Sequence, residues 1–194
     1  KKIEKVAQDH NLTEDEVRAR IVQVREKLLV VRQRRVRPLT DDKSLLSWNA
    51  LMNISLSKAG VVLQNDKYIE RATGHMHWML EHFEDGVQLM HAWKKGKVRI
   101  AAKLDDYAYL VQAMLQLVAA SGDNKWVAKA CSITKIIISE FNQDDCLFYY
   151  TAEQQTDIPV RKVDTYDGAT PSANALMAHN LWICGMCMEH SEWI

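Results

Sequence analysis

The sequence predicts an all-α fold in which helical hairpins, joined by short extended connections, form part of an (α/α)6-type toroid. Three observations carry this. Only three prolines and seven glycines punctuate 194 residues, and long runs of helix formers fill the space between them. A segment recurs: Ser47-Trp48-Asn49-Ala50-Leu51-Met52 returns as Ser172-Ala173-Asn174-Ala175-Leu176-Met177, with a looser copy at Asp105-Asp106-Tyr107-Ala108-Tyr109-Leu110 between them. The recurrence also extends beyond the segment. A shift of 58 residues lays Asn49 on Tyr107, Asp66 on Asn124, Tyr68 on Trp126, Ala72 on Ala130 and Leu89 on Leu147. A further shift of 67 carries Tyr107 to Asn174, the extra nine residues falling in the loop after Thr151. That period exceeds the roughly 20–50 residues of common solenoids, and one hairpin cannot bury both its helices alone, so the units must stack or close into a ring.

Each element follows in order. Thr13-Glu14-Asp15-Glu16 has the form of a capping box, and Val17, Ile21, Val24, Leu28 and Val31 follow at alternating steps of four and three, which is one amphipathic helix. It ends in Arg32-Gln33-Arg34-Arg35-Val36-Arg37-Pro38, where cations suit a negative helix terminus and Pro38 stops the chain from continuing as helix. From Ser44 to about Leu63 the apolar residues Leu45, Leu46, Trp48, Leu51, Met52, Ile54, Leu56, Ala59 and Val62 cover more than one face, as expected of an inner helix. Asn65-Asp66 caps an outer helix whose stripe is Tyr68, Ala72, Met76, Met79 and Phe83. Glu84-Asp85-Gly86 then turns into a short extended piece, Leu89–Trp93, closed by a second turn at Lys94-Lys95-Gly96-Lys97. The expected organisation is leading helices over 1–38, hairpin units over 39–98 and 99–165, and the start of another over 166–194, an arc of the ring with apolar edges open to a second copy.

Composition narrows the function. Twenty-five basic residues balance twenty-five acidic ones, so no overall field recruits nucleic acid or an anionic membrane. No apolar run reaches the roughly 18 residues of a membrane span. The first residues, Lys1-Lys2-Ile3-Glu4-Lys5, resemble no signal peptide, and the absence of an initiator Met suggests a piece of a longer chain. Cys131, Cys146, Cys184 and Cys187 sit in apolar surroundings rather than at the spacing of a disulfide framework, which favours a reducing, cytoplasmic setting.

Parallel inner helices would gather the turns before their N-termini at one mouth. Those turns hold Asp41-Asp42-Lys43, Asp105-Asp106-Tyr107 and Tyr166-Asp167-Gly168. Capping explains part of this, because carboxylates are favoured at positive helix ends. It does not explain the company of Trp48, Asn49, His91, Trp93, Tyr107, Tyr166 and Asn174, aromatic faces and amides that suit a polyhydroxylated, carbohydrate-like ligand. The candidate catalytic residues are therefore Asp42, Asp106 and Asp167, two of which could act as acid and base or nucleophile, with His91 as a proton carrier. The candidate ligand-binding residues are Trp48, Asn49, Trp93, Tyr107, Tyr166 and Asn174.

Other chemistry is weakly signalled. Cys184-Gly185-Met186-Cys187 has redox spacing but lies deep in, or at the end of, a helix, where packed cysteines are the simpler reading. His75, His77, His82 and Glu81 lack the paired spacing of a zinc helix, so no metal is expected. There is no Gly-rich phosphate loop and no hydrolase serine elbow, and no cofactor is implied.

Three stretches carry a family resemblance: Arg35-Val36-Arg37-Pro38-Leu39-Thr40-Asp41-Asp42-Lys43-Ser44-Leu45-Leu46-Ser47-Trp48-Asn49-Ala50-Leu51-Met52, then Leu104-Asp105-Asp106-Tyr107-Ala108, then Tyr166-Asp167-Gly168-Ala169-Thr170-Pro171-Ser172-Ala173-Asn174. In order and spacing the chain resembles the spermatogenesis-associated, thioredoxin-domain-containing proteins. The resemblance implies the latter part of an α/α toroid like those of six-hairpin glycosidases and N-acylglucosamine 2-epimerases. It also implies an N-terminal thioredoxin-like domain outside these residues, to which the toroid could serve as a non-catalytic scaffold. Ala50, Ala173 and Ala102-Lys103-Leu104 depart from the family pattern, in which Gly is common at the first two positions and a Gly-Phe pair often precedes the acidic motif. A narrower mouth is therefore expected.

Overall fold

The computed structural model describes residues 2–86, 88–142 and 146–194. The chain divides into two compact units, Lys1–Asp41 and Asp42–Ile194.

The first unit is a helical pair, α1 (Ile3–Asp9) and α2 (Glu14–Gln33). Thr13 caps α2 as its sequence demands: its hydroxyl accepts from the Glu16 amide at 3.2 Å, and the Glu16 carboxylate accepts from the Thr13 amide at 2.8 Å. That hydrogen bond holds the Glu16 carboxyl below the usual range. The helix stops at Gln33, so its arginine run 34–37 lies beyond the last turn rather than within it. The residue before Pro38 is disfavoured in helical conformation, and the terminus recedes upstream of it.

Among the described residues the second unit holds three inner helices, α3 (Leu46–Val62), α5 (Leu104–Ser121) and α7 (Ala173–Met188), and two outer helices, α4 (Asp66–Phe83) and α6 (Lys125–Phe141). The starts of α3 and α5 lie 58 residues apart, the period of the sequence repeat. Helix α5 is the centre, packed against α3, α4, α6 and α7. It buries Leu104, Tyr109, Leu110, Met114 and Leu117 almost completely, each side chain contributing roughly 1.5–3 kcal/mol. Helix α4 buries Ala72, Met76, Met79 and Phe83, whereas Tyr68, at the head of the expected stripe, stays over a third exposed. Asn65 caps α4 by accepting from the Lys67 amide, and Gly122 ends α5 at φ +72°, a conformation glycine adopts without steric cost.

Helix α3 packs differently from the pattern its apolar residues suggest. Its buried seam is Leu46, Ala50, Asn53, Ser57 and Gly60, while Trp48, Met52 and Val62 are exposed. Small residues at four-three spacing let the neighbouring helix come close: a Cβ on Gly60 would stand 2.5 Å from the Ile69 side chain of α4. Asn53, fully buried, donates to the Ala72 carbonyl at 2.7 Å.

The connections contain more β structure than short extended pieces. Strands β1 (Ser44–Leu45), β2 (Glu84–Asp85) and β4 (Lys97–Ala101) all pair antiparallel with β3 (Gln88–Lys94). The turn between β3 and β4 places Lys95 and Gly96 both at positive φ, as a tight two-residue hairpin requires. Leu89 and Ala92 are buried and anchor the patch. Among the described residues no helix is long and apolar enough to cross a membrane.

Candidate functional site

Hydrogen bonds tie the start of α3 to the first turn of α5, and α5 in turn to the segment just before α7. The Ser47 amide at the head of α3 donates to Asp106 Oδ1 in the first turn of α5 at 2.9 Å. One turn further along α5, the Tyr109 hydroxyl donates to the carbonyl of Pro171, just before α7. Turns far apart in sequence thus meet at one end of the helical layer.

Asp106 is the hub. It is completely buried, and besides Ser47 it accepts from the Lys103 amide at 2.9 Å and from His91 Nδ1 at 2.8 Å, both on Oδ2. Strand β3 brings His91 here because its pairing with β1 and β4 fixes its position beside the starts of α3 and α5. The imidazole is half-buried, and its pKa is raised above the ordinary value, first by the hydrogen bond to Asp106 and then by the charges of Asp106 and Asp105; burial and Lys103 oppose this. With Nδ1 engaged, Nε2 is the ring nitrogen that can exchange a proton.

Asp105, in the same turn but absent from the candidates, is the carboxyl with unusual chemistry. Burial, and then the charge of Asp106, push its pKa up to about 6, against a hydrogen bond from the Asp106 amide at 3.1 Å and the attraction of His91. The Tyr150 phenol lies against it, its own pKa raised by burial and by the charges of Asp105 and Asp106. The Tyr109 phenol is also pushed up, chiefly by burial. One sequence signal could have separated the two aspartates. Asp106 is the third helical residue after Lys103, the position from which a carboxylate reaches back to the N-cap amide, so Asp105 is the one left over.

Asp106 and His91 are therefore the candidates brought into direct contact. The others have separate tasks. Asp42 is paired with Lys94 near the surface, which lowers its pKa. Asp167 Oδ1 accepts from the Ser172 amide at 2.6 Å and shapes the turn before α7. Asn49 ties α3 to α4, donating to Leu45 O at 2.7 Å and meeting His75 Nε2 at 3.1 Å. Asn174 is buried, bonding both backbone groups of Phe148 and the carbonyl of Asp164. Tyr107 is buried edge-on to Phe141 and accepts from the Leu89 amide at 3.3 Å, at the side of a cleft of about 420 Å³ also lined by Gln88, Glu140 and Gln155. Trp93 packs edge-on to Trp78 and His82. Trp48 and Tyr166 are 66% and 80% exposed, free to meet a ligand but held by little.

Among the described residues no group of three or more His, Cys, Asp or Glu is arranged to hold a metal. Cys184 is buried within α7 near Cys131 and Thr134, and burial pushes its thiol up to about 12, the opposite of an activated nucleophile.

No protein-family model matches the chain. Among curated proteins it is similar to spermatogenesis-associated protein 20 of Rattus norvegicus, 31% identical over 95% of this chain, and of Homo sapiens, 32% identical over 87% of it. The chain spans about a quarter of the length of these relatives. Among solved structures it is similar to cellobiose 2-epimerase from Spirochaeta thermophila, with a TM-score of 0.62 and 16% identity over 78% of this chain and 40% of that one. A glycoside hydrolase of family 105 from C. acetobutylicum matches at a TM-score of 0.59 and 9% identity, covering 99% of this chain and 56% of that one. Identities this low speak for the fold alone. Along nearly its whole length the chain is thus homologous to the spermatogenesis-associated protein 20 family, and its fold is that of part of a six-hairpin glycosidase-like α/α toroid.

Proposed function

We propose that the end of the helical layer where α3, α5 and α7 begin binds, or acts on, a carbohydrate-like ligand, with Asp105 and His91 as its proton-handling pair. The observation that carries this is the Asp105 carboxyl, half-buried and pushed up to about 6 beside an imidazole whose own pKa is raised. Such a carboxyl and imidazole can give and take protons. Asp106 acts through His91, orienting the ring and stabilising its charge. That similar folds occur in proteins named as an epimerase and a glycoside hydrolase supports the ligand class by analogy. Calorimetry with mono- and disaccharides tests it: heat with at least one sugar, lost in Asp105→Asn, is expected, and no heat with any sugar contradicts it.

A second reading is favoured by a different observation. Asn49, Asp106, Asp167 and Asn174 each bond backbone groups at the joints between elements. That is the economy of a rigid scaffold, here one that would dock a thioredoxin-like domain or another protein. It expects Asp106→Asn and Asp167→Asn to alter stability or partner capture with no turnover to lose. For either role we propose a cytoplasmic setting, consistent with Cys131 and Cys184 lying near one another as free thiols.

A further inference from the structure

The connection that follows α6 departs from its counterpart in the preceding repeat, and the departure is aimed at one turn. The shift of 58 that lays Leu89 on Leu147 also lays His91 on Tyr149 and Ala92 on Tyr150. The two segments are built alike. In the first repeat Ala92 pairs with Leu45, just before α3, and on its other side with Arg99, across a turn of two residues. In the second, the Tyr150 carbonyl accepts from the Leu104 amide at the head of α5 at 3.0 Å, and Tyr149 pairs antiparallel with Val163. Between these arms the chain runs from Thr151 to Lys162, where the nine extra residues of this repeat fall. The enlarged loop touches the start of α5 at three successive residues: Gln155 accepts from Lys103 Nζ at 2.7 Å, Tyr150 accepts from the Leu104 amide, and the Tyr150 phenol lies against Asp105.

Arg161 clamps the base of this loop. Its Nε and Nη2 donate to the Thr151 carbonyl at 3.1 and 2.9 Å, and Nη2 also donates to the Glu140 carbonyl, near the end of α6, at 3.1 Å. The guanidinium lies over the Tyr149 ring, 4.0 Å from its centroid. One planar fork thus ties the returning arm of the loop to the outgoing arm and both to α6, a geometry that the point charge of a lysine does not reproduce. Beside it the Tyr150 amide donates to the Lys162 carbonyl at 2.7 Å, and the Glu153 amide to the Glu140 carbonyl at 2.8 Å. The titratable groups that face Asp105 are Asp106 and Tyr109 of α5, His91 of β3 and Tyr150. Of these, Tyr150 is the one the loop carries, so whatever fixes the loop acts on Asp105 through that phenol.

We propose that Arg161 is a positioning residue for the Asp105 site: by clamping the enlarged loop it holds Tyr150 against the carboxyl and keeps water from it. This rests on the reading of Asp105 as a proton-handling group. The test is the carbon-13 titration midpoint of Asp105 in the whole chain, with amide hydrogen exchange at Tyr150 and Leu104 as a second readout. In Arg161→Ala the midpoint is expected to fall at least halfway from about 6 towards the roughly 4 of a solvated aspartate, and both amides to exchange on the order of tenfold faster relative to those in the middle of α5. Losing a cation by itself raises a carboxyl's pKa, so a fall reports water reaching Asp105 and not the missing charge. Tyr150→Ala is expected to give the same fall, with no further fall when Arg161→Ala is added to it. Arg161→Lys, which keeps the charge and only part of the clamp, is expected to lie between the parent and Arg161→Ala. A parent midpoint near 6 that stays or rises in Arg161→Ala overturns the inference and leaves the proposed proton pair standing, as does a further fall in the double variant. If Arg161→Ala does not fold, Arg161→Lys decides in its place: an unchanged midpoint with unchanged exchange overturns the inference. A parent midpoint near 4 removes the proton pair itself, and this inference with it.

Discussion

Asp42, before α3, lies near solvent against Lys94, and the pairing lowers its pKa. Asp105, at the start of α5, is tucked beside the buried Asp106, and desolvation pushes its pKa up to about 6. Each start of helix has two adjacent aspartates, Asp41-Asp42 ahead of α3 and Asp105-Asp106 within the first turn of α5. Depth separates them. Helix α5 has an inner helix on either side, its Leu104 amide donates to the Tyr150 carbonyl, and burial of the Asp105 carboxyl there outweighs the attraction of His91. In the proposed role, proton chemistry would therefore fall to the α5 turn, while Asp42 makes a surface ion pair.

The sharpest way to break this contrast is to remove the hub. Asp106→Ala leaves the amides of Ser47 and Lys103 and the His91 ring without an acceptor in a dry place. It is expected to cost about 3 kcal/mol and to lower the thermal midpoint by roughly 6–12 °C. Asp106→Asn, which keeps an acceptor, is expected to cost less.

Asp105→Asn should act in the other direction. A carboxyl whose folded pKa lies above its unfolded value opposes folding once ionised, so the native protein loses stability as pH rises from about 4 to about 6. Asparagine removes that loss. The variant is expected to match the parent near pH 4 and to exceed it by about 1–2 kcal/mol at pH 7, measured by urea denaturation at both values. His91 adds to the same slope, since its raised pKa gives stability that is full below pH 6.5 and fades as pH climbs through the raised value. Proton NMR of the ring is expected to show its midpoint falling in Asp106→Asn. At the small end, Asp42→Asn is expected to change the thermal midpoint and its pH dependence only slightly, because the pair it removes is exposed to solvent.

Much of the architecture was legible because it repeats. The 58-residue offset that aligns Asn49 with Tyr107 also separates the starts of α3 and α5, and the outer stripe Ala72, Met76, Met79, Phe83 is the buried face of α4. Helix α3 was misread in one respect. Apolar residues usually mark the inside, but here a small-residue seam ending at Gly60 faces inward, and Trp48 and Met52 are left outside. The site was legible as a neighbourhood and not as roles. Asp106 and His91 do meet, yet hydrogen-bond geometry assigns the first to structure, and desolvation, invisible in a string of residues, makes its neighbour Asp105 the titrating group. Asn49 and Asn174 read as ligand contacts because amides suit hydroxyls, and they suit backbone joints equally well.

The most direct measurement is a carbon-13 NMR titration of the Asp105 side-chain carboxyl in the folded chain, assigned by its loss in Asp105→Asn. A midpoint near 6 is the result the burial of this turn requires. A midpoint near 4, that of an ordinary solvated aspartate, would contradict it and leave the α5 turn no more reactive than the α3 turn.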